Sequence, residues 1–167
     1  MKILLIEDEK ELCRSIETYL TQESYLCECV MNYEDALEKI NLYVYDCVVV
    51  DITLPDGTGL DIIRALKTNK TETGIIIISA KNSLDDKIVG LDIGADDYLT
   101  KPFHLSELNA RIKSIIRRRN FGGNNEIIIN EIRISPDQMQ VLVNEKEILL
   151  TKKEFDLLIF FISNKII

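Results

Sequence analysis

No run of apolar residues in this chain approaches the ~18 needed to cross a bilayer. The apolar stretch after the first two positions, Ile3 to Ile6, is only four residues long, too short for the core of a signal peptide. No Cys-x-x-Cys spacing occurs among Cys13, Cys27, Cys29 and Cys47. Cys27-Glu28-Cys29 leaves two readings open: a redox or metal pair, or two thiols facing the same side of an alternating strand. Buried free thiols are common, so the second is the expected one, with a reducing cytoplasm as the setting. The single histidine, His104, stands beside Phe103 with no second ligand near it, and no chemistry is assigned to it. Basic residues are outnumbered 20 to 28 and the net charge is −8, which argues against a nucleic-acid surface spread over the whole chain. Internal repeats and low-complexity tracts are absent.

What is present begins with Asp46-Cys47-Val48-Val49-Val50-Asp51. A short apolar run bounded by turn residues reads as a strand buried on both faces. Asp51 closes it, and Ile52-Thr53-Leu54-Pro55-Asp56-Gly57 follows as a loop. Lys2 to Ile6 is a similar strand that ends on Glu7-Asp8-Glu9. Leu12, Ile16, Tyr19 and Leu20 have helical spacing within residues 11–21. A strand over 25–30 comes next, then a helix over 33–41 capped by Asn32. After the Asp51 loop, Leu60, Ile63 and Leu66 mark a helix. Four consecutive isoleucines, Ile75 to Ile78, fit a covered strand ending near Ser79. Ser83 is the expected cap of a helix over 84–92 that Gly94 terminates. A strand over 97–100 leads to Lys101-Pro102-Phe103 and a helix from about 105 to 118, opened by His104 or Ser106.

Residues 2–119 therefore alternate strand and helix five times. That pattern predicts an α/β fold, a doubly wound parallel sheet with helices on both faces. Ligands in such sheets bind outside the carboxyl ends of the strands. Glu7, Asp8, Asp51, Ser79 and Lys101 all fall on that edge. The composition changes at residues 120–125, a linker rich in Asn and Gly. Short strands at about 126–130, 132–135, 138–144 and 146–150 predict a small antiparallel platform, with turns at Pro136-Asp137 and Asn144-Glu145. Thr151 and Glu154 form a capping-box pattern ahead of one helix with Phe155, Leu158, Ile159 and Ile162 along one side.

Carboxylates that converge on one edge repel one another unless a cation joins them. A hard divalent ion suits such oxygen ligands, and Mg²⁺ needs only one or two carboxylates besides water and phosphate oxygens. A lysine adds fixed positive charge and a serine a neutral donor. An aspartate can attack phosphorus and form an acyl phosphate. These are parts for holding a phosphoryl group. Any one of these residues alone is more often a cap or an ion-pair partner; the joint pattern is what carries the reading.

At this point residues 1–119 resemble the receiver domain of bacterial two-component response regulators. The motifs are Ile6-Glu7-Asp8, Val50-Asp51-Ile52-Thr53-Leu54-Pro55-Asp56-Gly57, Ile78-Ser79-Ala80, and the stretch from Gly90 through Ala95-Asp96-Asp97-Tyr98-Leu99-Thr100-Lys101-Pro102 to Phe103. The resemblance implies a flavodoxin-like (βα)5 sheet of strand order 2-1-3-4-5. It implies that Asp51 accepts a phosphoryl group from a sensor histidine kinase. Mg²⁺ is then bound by Asp8, Asp51 and the carbonyl of Thr53, with Glu7 acting through water. Glu7 stands where many members carry Asp. Ser79 and Lys101 contact the phosphoryl group, Tyr98 is the switch aromatic, and the Lys101-Pro102 bond is cis. Thr53 and Lys81 flank the site and are expected to tune the lifetime of the acyl phosphate.

Asp96-Asp97-Tyr98 and residues 107–112 are similar to the OmpR/PhoB subfamily. That implies a homodimer through the fourth helix, fifth strand and fifth helix. In it Asp97 pairs with Arg111, Lys87 with Glu107, and Asp96 with Arg118, each across protomers. The alternative is a solvated helix face, where each pair contributes only ~0–1 kcal/mol. Arg117-Arg118-Arg119 reads in the same way as a nucleic-acid contact or as a helix end complementing its dipole, the latter being expected. Residues 126–167 resemble the opening of the subfamily's winged-helix DNA-binding domain, without its recognition helix. From residue 120 onward there are five Lys/Arg and seven Asp/Glu. Phosphate neutralisation dominates DNA affinity. The chain as given is thus expected not to bind specific DNA, binding being left to a full-length form. Without the missing helices, the stripe on the last helix must pack on the platform, on the receiver or on another chain, with chain–chain contact or mobility the expectation.

Three other functions compete with a transcription-controlling phosphorylation switch. A small phosphatase with Asp51 as nucleophile needs an acid two residues on, where Thr53 stands. A flavodoxin-like cofactor binder needs a Gly- or Ser/Thr-rich loop after the first strand, and none follows. A phosphate-independent interaction module remains open. The expected protein is not a turnover enzyme, lies in the cytoplasm and makes no membrane contact.

Overall fold

Strands that are apolar at every position need cover on both faces, and the chain folds to supply it. The computed structural model describes residues 1–69, 73–80, 84–121, 126–136 and 138–163. It divides into two compact units, Met1–Ile116 and Arg117–Ile167. In chain order the first contains β1 (Lys2–Ile6), α1 (Lys10–Gln22), β2 (Leu26–Val30), α2 (Tyr33–Leu42) and β3 (Cys47–Asp51). A hairpin of β4 (Thr53–Leu54) and β5 (Gly57–Thr58) follows, then α3 (Gly59–Thr68), β6 (Gly74–Ser79), α4 (Leu84–Ile93), β7 (Asp97–Thr100) and α5 (Leu105–Phe121), of which residues 105–116 belong to this unit. Five strands form one parallel sheet in the order β2-β1-β3-β6-β7. This is the expected 2-1-3-4-5 order once the hairpin is set aside.

Alternation along the strands divides the core in two. Ile3 and Leu5, Cys47 and Val49, and Ile76 and Ile78 face one side, where Cys13, Ile16 and Leu20 of α1 meet Leu108, Ile112 and Ile115 of α5. Leu4 and Ile6, Val48 and Val50, and Ile75 and Ile77 face the other, against Ala36 and Ile40 of α2 and Ile62, Ile63 and Leu66 of α3. Full burial of each such side chain contributes about 1.5–3 kcal/mol. This two-sided demand, rather than β-propensity alone, is why the isoleucine run is a central strand.

The helix ends follow local chemistry. Asn32 accepts the Asp35 N–H at 2.8 Å and caps α2. Gly94 terminates α4 at φ +118°, a conformation that disfavours a side chain. His104 opens α5, its carbonyl accepting the Glu107 and Leu108 N–H groups. The expected cap Ser83 and the flanking residue Lys81 lie outside the described residues, as does Asp137 of the turn that follows β9. Of the expected linker at 120–125, Asn120 and Phe121 continue α5, and the rest lies outside the described residues. The basic residues Arg118 and Arg119 sit in the last turn of α5, where positive charge favours propagation.

Beneath the sheet's amino end, Glu28 gathers three partners. Lys2 lies 2.9 Å and Lys39 3.2 Å from its carboxylate, and the Tyr45 hydroxyl donates at 2.9 Å. The Lys2 hydrogen bond foremost, with those of Tyr45 and Lys39, outweighs partial burial and holds this carboxyl down at about 2. A depressed carboxylate contributes stability above its unfolded pKa and loses it as the folded group protonates. The chain is therefore expected to lose stability as pH falls from about 4.5 to about 2, and Glu28→Gln to flatten that part of the curve. Urea midpoints across the window check this; parallel curves for the two proteins would refute it.

The second unit holds β8 (Ile127–Ile129), β9 (Ile132–Ser135), β10 (Gln140–Val143), β11 (Lys146–Ile148) and α6 (Lys152–Ser163). The strands are antiparallel in the order β11-β10-β9-β8, as expected. Asn144 and Glu145 both take positive φ, 49° and 62°, the requirement of a two-residue hairpin turn with the sheet's own twist. Thr151 and Glu154 make the reciprocal capping box: the Thr151 N–H donates to the Glu154 carboxylate at 2.8 Å, and the Glu154 N–H to Thr151 Oγ1 at 3.4 Å. The stripe on α6 packs on the platform, one of the three partners considered for it, where chain–chain contact or mobility is the expectation from sequence. Phe155 and Ile159 are buried against Ile134 and Val141, with Leu158 and Ile162 at the margin. The exposed apolar residues of α6 are instead Leu157, Phe160 and Phe161.

Candidate functional site

Register assembles the site. Ile6 pairs with Val50, so Glu7 and Asp51 emerge side by side at the carboxyl ends of β1 and β3. Asp51 lies opposite Ile78, and Ser79 opposite Thr100. The Lys101 N–H then donates to the Ser79 carbonyl at 2.9 Å, which continues the pairing one residue past β7. The Lys101-Pro102 bond is cis, as expected.

Lys101 joins the two buried carboxylates. Its Nζ lies 2.6 Å from Asp51 Oδ2 and 2.7 Å from Glu7 Oε2. The other Asp51 oxygen, Oδ1, accepts the Thr53 N–H at 2.9 Å, and Glu7 Oε1 accepts the Glu9 N–H at 3.2 Å. Glu7 is 0% and Asp51 6% exposed, Ser79 is buried beside them, and Asp8 reaches solvent. Burial raises the Glu7 pKa, against the pull of Lys101 and with the help of the neighbouring Asp51 charge. Burial pulls the Lys101 ammonium down, yet its hydrogen bonds to Asp51 and Glu7 leave it above the usual lysine range.

Carboxylate oxygens of Glu7, Asp8 and Asp51 lie within 4.8 Å of one another. Among the described residues, three acidic groups face the one ammonium of Lys101, an excess of negative charge that a hard divalent cation would offset. Receiver domains bind Mg²⁺ at an acidic site of this kind, and the donor set here, oxygen only, fits it.

Two residues of the site have no role assigned from the sequence. Gly59 starts α3 directly beneath Asp51, and a Cβ built on it collides with the Asp51 carbonyl oxygen. Asp56 accepts the Tyr33 and Glu34 N–H groups at 2.7 and 3.3 Å, tying the loop after Asp51 to the start of α2. Both are ordinary turn residues in the sequence; only the approach of a second element gives them a role.

Of the charges assigned to a dimer face, Arg111, Asp97 and Glu107 also meet within one chain. Arg111 pairs with Asp97 at 2.7 Å and with Glu107 at 2.8 Å. Asp96 accepts the Ile75 N–H at 2.8 Å, and Arg118 is exposed. The side chain of Lys87 lies outside the described residues. Tyr98 is partly buried against the α2/α3 side of the core. No helix among the described residues is long and apolar enough to cross a membrane.

Comparison with known proteins agrees with this geometry. The response regulator receiver domain matches residues 3–113. The transcriptional regulatory protein PmrA of Pectobacterium parmentieri is 39% identical, over 95% of this chain and 71% of its own length. The response regulator ArlR of Staphylococcus aureus is 43% identical, over 98% of this chain and 74% of its own. The solved structure of DrrB, a Thermotoga maritima OmpR/PhoB homologue, superposes with a TM-score of 0.63 at 30% identity, over 98% of this chain and 72% of that one. With a matching profile over most of the chain, relatives aligned across both units and the acidic sheet edge in place, this chain belongs to the two-component response regulators of the OmpR/PhoB type.

Proposed function

We propose that Asp51 accepts a phosphoryl group from a sensor histidine kinase and that the chain is a phosphorylation-dependent switch. The observation that carries this is the placing of Asp51 at one sheet edge between Lys101 and the carboxylates of Glu7 and Asp8. In the step, one Asp51 carboxylate oxygen forms a bond to phosphorus as the bond from phosphorus to the donor's imidazole nitrogen breaks. Lys101 offsets charge on the phosphoryl oxygens, and the Ser79 hydroxyl donates to one of them. Asp8, Asp51 and the Thr53 carbonyl would hold Mg²⁺, with Glu7 acting through water; bound there, the ion supplies positive charge to the same oxygens. Tyr98 reports the change by turning inward as Ser79 shifts. Thr53 sets the approach of water to the acyl phosphate. The protein acts as a signalling switch in the cytoplasm rather than as a turnover enzyme.

Incubation with acetyl phosphate and Mg²⁺ is expected to add the mass of one phosphoryl group, and Asp51→Asn to abolish the gain completely. No gain in the unsubstituted protein at any pH would leave a phosphate-independent interaction module instead. Continuous release of phosphate from varied esters would mark a phosphatase.

The output proposed is control of transcription by the full-length form. Residues 1–119 act as the receiver, 120–125 as the connection, and 126–167 contribute the platform and first helix of a winged-helix effector. The homodimer uses α4, β7 and α5. Arg111 already has partners in its own chain, so exchanging them for a partner chain's Asp97 adds little net charge pairing. Ile88, Val89 and Leu91, exposed on α4, supply the apolar area that such a contact needs. Arg111→Glu sets a third carboxylate beside Asp97 and Glu107 on this face, and that repulsion is expected to leave the protein monomeric when a phosphoryl mimic is bound, by light scattering. A dimer of unchanged mass would sink this assignment.

A further inference from the structure

The β1–α1 turn carries Glu7 and Asp8, and it is fastened at both ends. Its start is held by the Glu7 N–H donating to the Val30 carbonyl at 3.0 Å. Its end is held by the Cys13 N–H donating to the Glu9 carbonyl at 2.9 Å. Cys13 on α1 and Cys29 on β2 lie just behind these two fastenings. Their Cα atoms are 6.5 Å apart and their sulfurs are in contact. That separation is within the range a disulfide spans. β2 is an edge strand, bonded only to β1, so Cys29 is reached from outside the sheet and is partly exposed. Cys13 is 3% exposed and packs in the α1/α5 side of the core. The other two thiols lack this arrangement. Cys27 and Cys47 are buried and lie outside this pairing. Burial, with the Glu17 and Glu28 charges, pushes the Cys27 thiol up to about 12, which keeps it protonated and a poor nucleophile.

We propose that Cys13 and Cys29 are a reversible redox site that exchanges with small disulfides of the glutathione class and, when oxidised, locks the Glu7–Glu9 turn between α1 and β2. The reaction starts at the more accessible sulfur. The Cys29 thiolate attacks one sulfur of the small disulfide, a Cys29–glutathione bond forms, and one glutathione thiolate leaves. Cys13 gives up its proton and attacks the Cys29 sulfur. The Cys13–Cys29 bond forms and the second glutathione thiolate leaves. Two protein thiols are oxidised, one small disulfide is reduced to two thiols, and the protein's two protons pass to the released thiolates or to water. In a reducing compartment such a pair is open at rest and closes when the thiol pool is oxidised. This inference goes beyond phosphoryl acceptance and stands or falls independently of it.

The test uses the full chain equilibrated across ratios of reduced to oxidised glutathione, quenched with acid, unfolded and alkylated. Peptide mapping is expected to show Cys13 and Cys29 lost together as one cross-linked species at oxidising ratios, with Cys27 and Cys47 still alkylated. Excess reduced glutathione is expected to restore four alkylated cysteines. The cross-linked form is expected to exchange amide hydrogens more slowly over residues 7–13 than the reduced form. Its melting midpoint should rise by about 5 °C or more, the scale set by closing a short loop. Cys29→Ser, at the more exposed position, is expected to abolish both differences while keeping the fold of the reduced protein. Four alkylatable cysteines at every ratio, a stable Cys29–glutathione adduct without closure, or a Cys13–Cys27 cross-link would each overturn the proposal.

Discussion

Lys101→Met is expected to destabilise the parallel-sheet unit by about 3 kcal/mol without divalent cation, since breaking a buried ion pair strands a charge in a poor solvent. Methionine keeps most of the stem and removes only the ammonium. What remains is Glu7, fully buried, beside Asp51, with no cation between them. The sign of the pH dependence follows from Glu7. Its folded pKa is raised, first by burial and further by the Asp51 charge. The fold thus favours its protonated form, and that contribution is complete below the unfolded glutamate value and lost as pH rises through the folded one. Lys101 opposes the rise; without it the folded value climbs further and the loss grows. The variant should therefore resemble the unsubstituted protein most closely at about pH 4.5 and fall behind it steadily toward neutrality. Mg²⁺ in millimolar excess should recover much of the deficit, and adding Glu7→Gln should recover part of it with no metal. Urea unfolding with and without MgCl₂ at several pH values measures all three. Equal stability of variant and parent at neutral pH would show that the carboxylates are not held by Lys101.

Gly59→Ala is expected to cost about 2 kcal/mol and to slow phosphoryl acceptance by Asp51, the overpacking penalty being of this size where backbone must move. The added Cβ meets the Asp51 carbonyl oxygen and lies 2.8 Å from Val50 Cγ2. Backbone at the end of a central strand cannot swing aside as a lysine tip can. The first turn of α3 has to lift, and the bond from the Gly59 N–H to the Ile52 carbonyl, 2.9 Å, stretches with it. That bond closes the loop carrying Thr53, so strain reaches both Asp51 oxygens' surroundings. Unlike the lysine variant, this one should not be rescued by Mg²⁺, because the fault is steric. Denaturation midpoints and the rate of mass gain with acetyl phosphate provide the check. A fully stable protein with parental kinetics would mean that α3 can shift without disturbing β3.

The two variants mark the limits of what the residues disclosed. Asp51, Glu7, Asp8, Ser79 and Lys101 were legible because strand ends can be read from apolar runs, and parallel strands place those ends on one edge. Lys101 joining Glu7 as well as Asp51 was not legible, since that depends on the register between strands far apart in sequence. Arg111 shows the same gap. Its charge names a partner in another protomer, and Asp97 and Glu107 of its own chain also stand within reach. A charge pattern names the candidates for pairing but not the geometry that chooses among them. The cysteines repeat the lesson: Cys27 and Cys29, one residue apart, read as two free thiols on one strand face, yet Cys29 meets Cys13 from a different element.

The sequence by itself determined the α/β class, the strand order of the family it resembles, the acidic sheet edge and the break in composition near residue 120. The strand order is what the resemblance implies; the rest follow from local rules, apolar periodicity, capping residues and motifs of fixed spacing. Only the tertiary structure decided how the α6 stripe is covered, which thiols pair, why residue 59 is glycine and how one lysine serves two buried carboxylates. Each of those is a contact between segments remote in the chain, and such contacts are selected by the packing of the whole rather than by any stretch of residues alone.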